Sequence, residues 1–443
     1  MERARRTHAL ALLPELLENQ WRPYPQLRAR QLTDLREHLI SCGERIPYYR
    51  RLFAERGFDP AAVTAAEDLA GLPLLDKAAI KAAGADLLAA DADARGARAK
   101  QTSGSTGEPL NYYLDTRSHS YLWAHIWRAW SLTGYQPGDP YATLSGGSLL
   151  PEKVDLKQRL YLWLSACVHL PSYHLSDEVM DRYARLLATR KVAFLYGYPS
   201  SLELFAAHLL REGRRLAAMR AVFTTSELLA PEARSTIERG IGCRVHDLYG
   251  CNDGGLHSFE CEQHQGLHLG MESCLVEVVD DEGRPLPEGE TGRIVTTHLA
   301  NRTHPFLRYV TGDVGALSSE PCACGRGLAR ILSIAGRERD FIVTPAGRKV
   351  HGAFFNHFEP FYRAAWLSRF QVHQPERDRL ELRVVVERSP TAQEREQLIA
   401  ELVRGLGPMR ISIEEVDELA LTATGKFRVV TSALDPAERP ETP

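Results

Sequence analysis

Between about residues 100 and 335, strand-like runs alternate with helix-like segments, and this alternation constrains the fold more than any other feature of the chain. The apolar runs YATLSG, VAFLYGYP, AVFTTSE and RVHDLYG are short, and glycine, proline or serine stands at or near the end of each. The intervening segments DEVMDRYARLLATR and PSSLELFAAHLLREG space their apolar residues as a helix does. This pattern predicts an α/β domain with parallel strands. Ligands of such sheets bind beyond the carboxyl ends of the strands, so we expect the functional residues there.

The character of the sequence changes after Gly336. Residues 1–100 are rich in alanine and leucine and predict a mainly helical start. Ser273–Leu299 predicts two strands around a turn-rich connection, which is a hairpin or a small barrel-like element. Beyond Gly336, strand–turn–strand patterns and a helical segment at Thr391–Leu406 predict an α+β unit. We therefore predict a large N-terminal α/β domain with a β-barrel-like element, residues 1–336, and a small C-terminal α+β domain, residues 337–443.

Composition excludes several classes of partner and location. The chain has 443 residues, 44% hydrophobic and 25% charged, with a formal net charge of −3. These values are typical of a globular protein and do not favour a nucleic-acid or anionic-membrane partner. No stretch approaches the ~18 apolar residues of a membrane span. Eight cysteines in a chain of this length do not suggest a disulfide scaffold. We expect a cytoplasmic protein with reduced thiols.

The first twenty residues place basic side chains before a short apolar run, as a signal peptide does. Pro14, Glu15 and Glu18 interrupt that run, and no small-residue cleavage site follows it. The segment therefore predicts an amphipathic helix.

The stretch TSGSTGEP, Thr102–Pro109, suits the phosphates of a nucleotide. Its glycines allow sharp turns, successive backbone N–H groups can form an anion-binding concavity, and the hydroxyls of Ser103, Ser105 and Thr106 add donors. No Gly-Lys-Ser/Thr follows, so the stretch is not the usual P-loop. A flexible Ser/Gly-rich loop is the alternative interpretation.

Four further segments follow this loop in order: LYGCNDGG, RYVTGDVG, GRERDFIV and LTATGKFR. With the loop, they resemble the adenylate-forming superfamily of acyl-CoA synthetases and adenylation domains, from about Thr102 to Arg428. GYPSSL at Gly197–Leu202, and Cys322 and Cys324 in PCACGR, are similar to one branch, the phenylacetate–CoA ligase-like group with its capsule-biosynthesis relatives. The resemblance implies an active site between the two domains and a mobile C-terminal domain.

The resemblance implies roles for residues of the nucleotide site. Tyr249 would stack on adenine, Asp313 would accept hydrogen bonds from the ribose hydroxyls, and Arg337 would contact ribose or phosphate. Out of context, Tyr249 could equally be a strand end and Asp313 a turn residue. The full set expected to contact ATP or AMP is Ser103, Gly104, Ser105, Thr106, Gly107, Ser226, Glu227, Tyr249, Gly250, Asp313 and Arg337.

The chemical step is expected to depend on Lys426, Asp253 and Thr106. A lysine on the loop of a mobile domain can neutralise charge that develops on the carboxylate and α-phosphate. Asp253 stands where the family has Glu, and its carboxylate would ligate Mg²⁺. Arg339 matches the hinge position, where many members have Asp or Lys. A lysine alone is usually a solvated charge, so the assignment of Lys426 depends on the resemblance.

Cys322 and Cys324 lie two residues apart between Pro321 and Gly325, and Cys261 and His268 lie upstream in CEQHQGLH, with His264 as a competing candidate. Three cysteines and one histidine can form a closed tetrahedral zinc site of the structural type. From spacing alone, zinc and free thiols remain alternatives. The resemblance favours zinc, because zinc-bearing relatives carry such pairs in these places.

The acyl pocket is expected between the phosphate loop and the GYPSSL helix. Aromatic residues there would suit a flat, aryl substrate, although aromatics at strand ends are more often core residues. The candidate walls are Tyr141, Ser145, Gly146, Tyr196, Tyr198 and Pro199.

We expect an ATP-dependent enzyme that activates a carboxylic acid as acyl-AMP, releases pyrophosphate and transfers the acyl group to coenzyme A. An amine, a carrier-protein thiol or another nucleophile is the alternative acceptor. A non-catalytic nucleotide-binding homologue is the alternative class, because Glu108, Asp253 and Arg339 depart from the family pattern. The expected cofactors are ATP, Mg²⁺, structural Zn²⁺ and coenzyme A, with a homodimer left open.

Overall fold

The structure, a computed structural model, describes residues 7–102, 110–146, 155–337, 341–356, 358–420 and 427–434. The chain divides into two compact units. The larger is Met1–Thr311 with Gly315–Ile334, and the smaller is Gly312–Val314 with Ala335–Pro443. Both combine helices and strands, so the mixed α/β class expected from the sequence is confirmed.

A helical segment opens the larger unit. α1 buries Leu13 and Leu16, and α3 ends at Gly57, whose φ of +59° is the left-handed conformation that glycine adopts readily. Short 3₁₀ turns follow at Pro60–Ala62, Glu67–Gly71 and Gly84–Leu87. The helices of this segment are α1 (Ala9–Asn19), α2 (Tyr24–Arg45), α3 (Pro47–Arg56) and α4 (Lys77–Ala83).

A two-stranded antiparallel hairpin comes next, formed by β1 (Arg98–Gln101) and β2 (Asn111–Leu114). The Thr102 N–H donates to the Leu110 carbonyl at 2.9 Å, and the Leu110 N–H donates to the Thr102 hydroxyl at 2.9 Å. These bonds fix both ends of the TSGSTGEP loop, whose residues 103–109 lie outside the described part of the chain.

An eleven-stranded sheet forms the body of the larger unit, in the order β10-β11-β12-β13-β9-β8-β7-β6-β5-β3-β4. Its strands are β3 (Tyr141–Ser145), β4 (Cys167–Pro171), β5 (Phe194–Gly197), β6 (Ala221–Thr224), β7 (Arg244–Cys251), β8 (Leu256–Glu260), β9 (Leu267–Leu269), β10 (Cys274–Val279), β11 (Gly292–His298), β12 (Tyr309–Ser318) and β13 (Arg330–Arg337). Strands β3 to β7 pair in parallel, as the strand–helix alternation predicts. The predicted hairpin after Ser273 is β10 and β11, which pair antiparallel and continue this sheet.

Helices connect and cover the strands. The helices of this part of the chain are α5 (Thr116–Ser131), α6 (Leu156–Leu164), α7 (Asp177–Thr189), α8 (Pro199–Arg211) and α9 (Pro231–Ile241). In one of the hydrophobic cores, Trp130 of α5 stacks on Phe223 of β6 with ring centroids 5.1 Å apart. Another core joins β3, β5 and β6 to α7, α8 and α9 through buried aliphatic residues such as Leu144, Leu195 and Ile237. Such burial of apolar surface provides most of the free energy that favours folding.

The smaller unit is an α+β fold around a four-stranded sheet with the order β18-β17-β16-β19. A capping box of Thr391 and Glu394 starts helix α12, which buries Leu398, Leu402 and Leu406. Its elements are β14 (Phe341–Val343), β15 (Lys349–His351), α10 (Ala353–Asn356), α11 (Glu359–Arg363), β16 (Leu367–Glu376), β17 (Arg379–Val386), α12 (Ala392–Leu406), β18 (Arg410–Glu415) and β19 (Val430–Ser432). Among the helices of the described residues, none has the length and apolar character that crossing a membrane requires.

Candidate functional site

The carboxyl ends of β3, β5 and β6 are fastened to one another by backbone hydrogen bonds. The Tyr198 N–H donates to the Leu144 carbonyl at 3.3 Å, and the Thr225 N–H donates to the Gly197 carbonyl at 3.1 Å. A Cβ on Gly197 would lie 2.1 Å from the Leu144 carbonyl oxygen, so only glycine fits there. This edge therefore brings two predicted pocket segments, Ser145–Gly146 and Tyr198–Pro199, beside the predicted nucleotide contacts Ser226 and Glu227.

Ser226 and Glu227 form a fixed turn beyond β6. The φ of Ser226 is +70°, which a residue with a side chain rarely adopts. The Glu227 carboxylate accepts the Ser200 N–H at 3.0 Å, in the first turn of α8. That position places a negative charge at the positive end of the helix dipole, which stabilises the turn. The strained Ser226 is exposed.

The predicted pocket tyrosines do not share one environment. Tyr196 is half-buried, contacts Trp130 at 5.4 Å between ring centroids, and its pKa is raised by burial, although a hydrogen bond with Thr225 acts the other way. Tyr198 is fully buried. Tyr141 is the first residue of β3, about 13 Å along the strand from Ser145, and packs in the aromatic core at 5.0 Å from Trp130. The structure therefore does not bring Tyr141 together with the strand-end residues.

Asp253 lies in the turn that follows β7, close after Tyr249 and Gly250. Its side chain is buried and both carboxylate oxygens accept a hydrogen bond. The Cys251 thiol donates to Oδ1 at 2.9 Å, and the Tyr309 hydroxyl donates to Oδ2 at 2.6 Å. Burial raises the pKa of Tyr309 above its ordinary range, and the Asp253 charge adds to that effect, so the hydroxyl keeps its proton.

Tyr112 lies near this turn and near Leu110, where the segment predicted to hold phosphates ends. It lies on β2, two residues after Leu110, and is buried. Burial raises its pKa above the ordinary range, and the charge of Asp253 raises it further. The base of the loop and the Asp253 carboxylate are therefore close enough to interact electrostatically.

The sequence predicts a ribose contact for Asp313 and a ribose or phosphate contact for Arg337, and the structure brings these two side chains together. Arg337 Nε lies 3.5 Å from Asp313 Oδ1. The Asp313 side chain is 12% exposed and that of Arg337 38%, so the carboxylate is the more enclosed partner. Both residues belong to the smaller unit.

Several predicted residues lie outside the described part of the chain. They are Ser103, Gly104, Ser105, Thr106, Gly107, Glu108, Arg339 and Lys426. Their roles remain predictions from the sequence and the resemblance.

Cys261, His268, Cys322 and Cys324 converge, with one ligand atom from each and all of these atoms within 4.8 Å of one another. Cys261 Sγ lies 3.8 Å from Cys322 Sγ, and Cys324 Sγ lies 3.3 Å from His268 Nε2. The alternative candidate, His264, instead pairs with Glu260 at 3.0 Å. We refer to these four residues as the Cys₃His cluster.

The chemistry of the Cys₃His cluster fits a closed tetrahedral zinc site. His268 Nδ1 faces the Leu328 carbonyl at 3.4 Å, which leaves Nε2 to face the sulfurs, as in metal-bound histidines. Burial lowers the pKa of His268 to about 4, so the ring is neutral, as a ligand must be. The pKa of Cys324 is lowered despite its burial, because the Arg326 N–H and side chain donate to the sulfur.

The turn that carries Cys322 and Cys324 packs against the N-terminal helices. Arg326 lies over the Trp21 ring, 4.5 Å from its centroid, and donates to the Gln20 side chain at 3.0 Å. A Cβ on Gly327 would lie 1.9 Å from the Arg22 carbonyl oxygen. The cluster therefore joins two segments that are distant in sequence, and the residues that follow Cys324 add contacts to the N-terminal region.

Sequence reasoning missed the partners of Asp253. Tyr309 precedes the TGD segment but lies 56 residues from Asp253. No spacing pattern links the two residues, because they belong to β12 and to the turn after β7, which are not neighbours in the sheet order. Tyr112 was missed because it lies on β2, in a separate two-stranded sheet.

Comparison with known proteins identifies the class. The family model of AMP-binding enzymes matches residues 101–299, and that of the CapK C-terminal domain matches residues 342–433. The structure is similar to that of a 2-hydroxyisobutyryl-CoA ligase in complex with R3-HIB-AMP, with a TM-score of 0.75 and 21% identity, covering 95% of this chain and 92% of that one. The fold and the matched domains define an AMP-forming, adenylate-forming ligase.

The curated relatives narrow this class further. The chain is 30% identical to a phenylacetate–coenzyme A ligase of Thermus thermophilus over 328 residues, which cover 72% of each protein. It is 24% identical to protein CapK of Staphylococcus aureus over 247 residues, covering 54% of this chain and 53% of CapK. The chain belongs to the phenylacetate–coenzyme A ligase family, in the branch that includes CapK.

Proposed function

We propose that this ligase activates a carboxylic acid with ATP, forming acyl-AMP and pyrophosphate, and transfers the acyl group to the thiol of coenzyme A. The observation that carries the proposal is the buried carboxylate of Asp253, held beside the base of the phosphate loop in a chain of this family. In-line attack on an α-phosphate requires the triphosphate to be held and its charge to be neutralised.

Different residues of this chain would hold the triphosphate and neutralise its charge. The amides and hydroxyls of Ser103–Gly107 would hold the β- and γ-phosphates, and Thr106 would contact the reacting end. Tyr249 would stack on adenine, and Asp313 with Arg337 would hold the ribose. Lys426 would approach the carboxylate and the α-phosphate as negative charge develops there. Asp253 would hold Mg²⁺, which supplies positive charge for the phosphates.

The Cys₃His cluster supports a structural role for zinc. Four protein ligands complete a tetrahedron, and such a site leaves no position for a substrate. Cys261, His268, Cys322 and Cys324 would hold the ion and stabilise the fold.

We further propose that the acid is aromatic and that the C-terminal domain, residues 337–443, moves between the two half-reactions. Half-buried Tyr196, the residue before Gly197 at the end of β5, offers flat surface at the carboxyl edge of the sheet. Curated relatives include phenylacetate–coenzyme A ligases, among them one of Pseudomonas putida. Two half-reactions with different nucleophiles, first the carboxylate and then the thiol, are more easily catalysed by a domain that rotates about a hinge at Arg339.

A panel of aryl and alkyl acids tests the proposal by pyrophosphate release and hydroxylamine trapping of acyl-AMP. We expect hydroxamate with an aryl acid and ATP, and acyl-CoA when coenzyme A is added. Hydroxamate without acyl-CoA would instead indicate an amine or carrier-protein acceptor. Absence of both products across the panel, with ATP still bound, would overturn the proposal in favour of a non-catalytic homologue.

A further inference from the structure

The carboxylate of Asp253 is fixed in orientation by donors on both of its oxygens. Cys251 is two residues before Asp253, at the end of β7, and Tyr309 is 56 residues after it, at the start of β12. A carboxylate offers about four lone-pair sites, two on each oxygen. The two donors therefore set the plane of the carboxylate and leave one lone pair on each oxygen to face a cation.

Tyr309 is itself held rigidly. Its ring contacts Phe306 with centroids 5.2 Å apart, and its backbone forms a bridge with Leu75. The preceding residue, Arg308, has a φ of +50°, although it is neither glycine nor asparagine. Such strain persists only where surrounding contacts enforce it, and it concentrates at functional sites.

The contacts that enforce this strain are made by the buried Arg308 guanidinium. It donates to the Leu72 carbonyl at 2.8 Å and the Gly283 carbonyl at 2.6 Å, and it pairs with Glu277 at 3.1 Å. The Arg308 N–H also donates to the Thr297 hydroxyl at 3.0 Å. The position of the Tyr309 hydroxyl is therefore determined by the core and is not adjustable from the surface.

The backbone of the Asp253 turn is held from the other side by the β10–β11 pair. The Cys274 thiol donates to the Gly254 carbonyl at 3.4 Å, and the His298 ring forms a hydrogen bond to the Asp253 backbone. A Cβ on Gly255 would lie 2.2 Å from the His298 ring. The turn can neither swing away from Tyr309 nor accept a larger residue there.

We infer that Tyr309 and Cys251 are positioning residues, which orient the Asp253 carboxylate so that it binds the Mg²⁺ of the ATP complex. This inference rests on the proposed role of Asp253. The physical reason is preorganisation: a carboxylate that is already aligned loses little rotational freedom when the ion arrives. Outer partners of metal ligands commonly change metal affinity by ~10–100-fold when removed.

The test compares Tyr309→Phe with Tyr183→Phe, a matched control. Tyr183 is likewise a buried tyrosine whose hydroxyl donates a hydrogen bond, to the Pro171 carbonyl at 2.9 Å, but it lies on α7. Calorimetry gives the affinity for ATP with Mg²⁺ and with EDTA, and this binding measurement requires no catalysis. We expect Tyr309→Phe to leave affinity in EDTA unchanged and to reduce the gain from Mg²⁺ by about tenfold. Tyr183→Phe should retain the full gain.

Two cysteine variants keep the inference testable if Tyr309→Phe fails to fold. Cys251→Ser preserves a donor to Asp253 and should retain most of the Mg²⁺ gain, whereas Cys251→Ala should lose part of it at an unchanged Tm. The same Mg²⁺ gain in wild type, Tyr309→Phe and Cys251→Ala would overturn the inference.

Asp253→Asn distinguishes a failure of this inference from a failure of the proposed function. If Asp253→Asn keeps the full gain in ATP affinity from Mg²⁺, Asp253 does not bind the ion and the inference is wrong. If the wild-type protein shows the gain but forms no adenylate, only the proposed function is wrong.

Discussion

Asp313 and Arg337 form an ion pair between neighbouring strands β12 and β13, with Arg337 Nε 3.5 Å from Asp313 Oδ1. Because Arg337 is more than a third exposed, the pair should add little to stability, at most about 1 kcal/mol. We expect the role of the pair to be geometric, since a guanidinium on one oxygen orients the carboxylate towards a ligand.

Asp313→Ala should therefore weaken ATP binding while leaving the fold intact. Loss of charge-assisted hydrogen bonds to the ribose should cost ~1.5–3 kcal/mol of binding free energy, measured by calorimetry. Arg337→Ala should produce a smaller loss, because the carboxylate remains. Unchanged ATP affinity in Asp313→Ala would remove this residue from the nucleotide site.

Lys426→Ala should slow adenylate formation by about 100-fold or more, the scale seen when a preorganised charge is removed from a transition state. ATP affinity should change little, since the lysine is proposed to act on charge that develops during reaction. Pyrophosphate exchange measures the rate and calorimetry the affinity. A variant that forms adenylate at nearly the wild-type rate would show that the assignment is wrong.

Zinc should copurify at about one ion per chain, and chelation should lower Tm before it affects chemistry. Cys322→Ser should lower Tm by roughly 5 °C or more, because each kcal/mol shifts Tm by ~2–4 °C in a large domain. Cys243→Ser is the matched control, since that half-buried thiol lies outside the Cys₃His cluster. Elemental analysis without zinc, or equal Tm values for the two variants, would contradict the assignment.

Stability should depend on pH through Asp247. Burial raises its pKa from 3.8 to about 6, although a hydrogen bond from Thr224 lowers it. The folded state therefore binds this proton more tightly, and the contribution of Asp247 to the free energy of unfolding falls as pH rises from about 4 to about 6. Asp247→Asn should remove that fall, on the order of 1–3 kcal/mol. Urea unfolding at several pH values measures it, and parallel curves for the two proteins would exclude the effect.

Arg339→Pro tests the predicted hinge. Proline fixes φ near −65° and restricts the preceding residue, so rotation about this position should be impeded. We expect adenylation to survive and acyl transfer to fail, with pyrophosphate exchange reporting the first step and transfer from preformed acyl-AMP the second. Equal loss of both steps in a folded variant would mean that the enzyme does not use this hinge.

Local patterns in the sequence identify the elements better than the contacts between them. YATLSG and AVFTTSE become β3 and β6, because apolar runs bounded by turn residues have few alternatives in an α/β fold. The cysteines and His268 could be grouped only through the resemblance, and spacing could not choose between His264 and His268. Tyr141 could not be separated from the pocket candidates, because whether a strand residue faces a ligand or the core depends on helices packed against the sheet. The Asp253–Tyr309 bond joins elements that are adjacent neither in the chain nor in the sheet order, and no local pattern contains such a contact.

The contact between Gln20 and Arg326 joins residues 306 positions apart. During synthesis, the first helices leave the ribosome long before the segment that completes their surroundings, and long-range contacts of this kind slow folding. Leu328 and Ile331 belong to the same buried cluster as Leu13 and Leu16 of α1, so this part of the core stays incomplete until residues near 331 emerge. A fragment that ends before residue 322 should therefore aggregate, although it contains all of the parallel strands of the large sheet, β3 to β7.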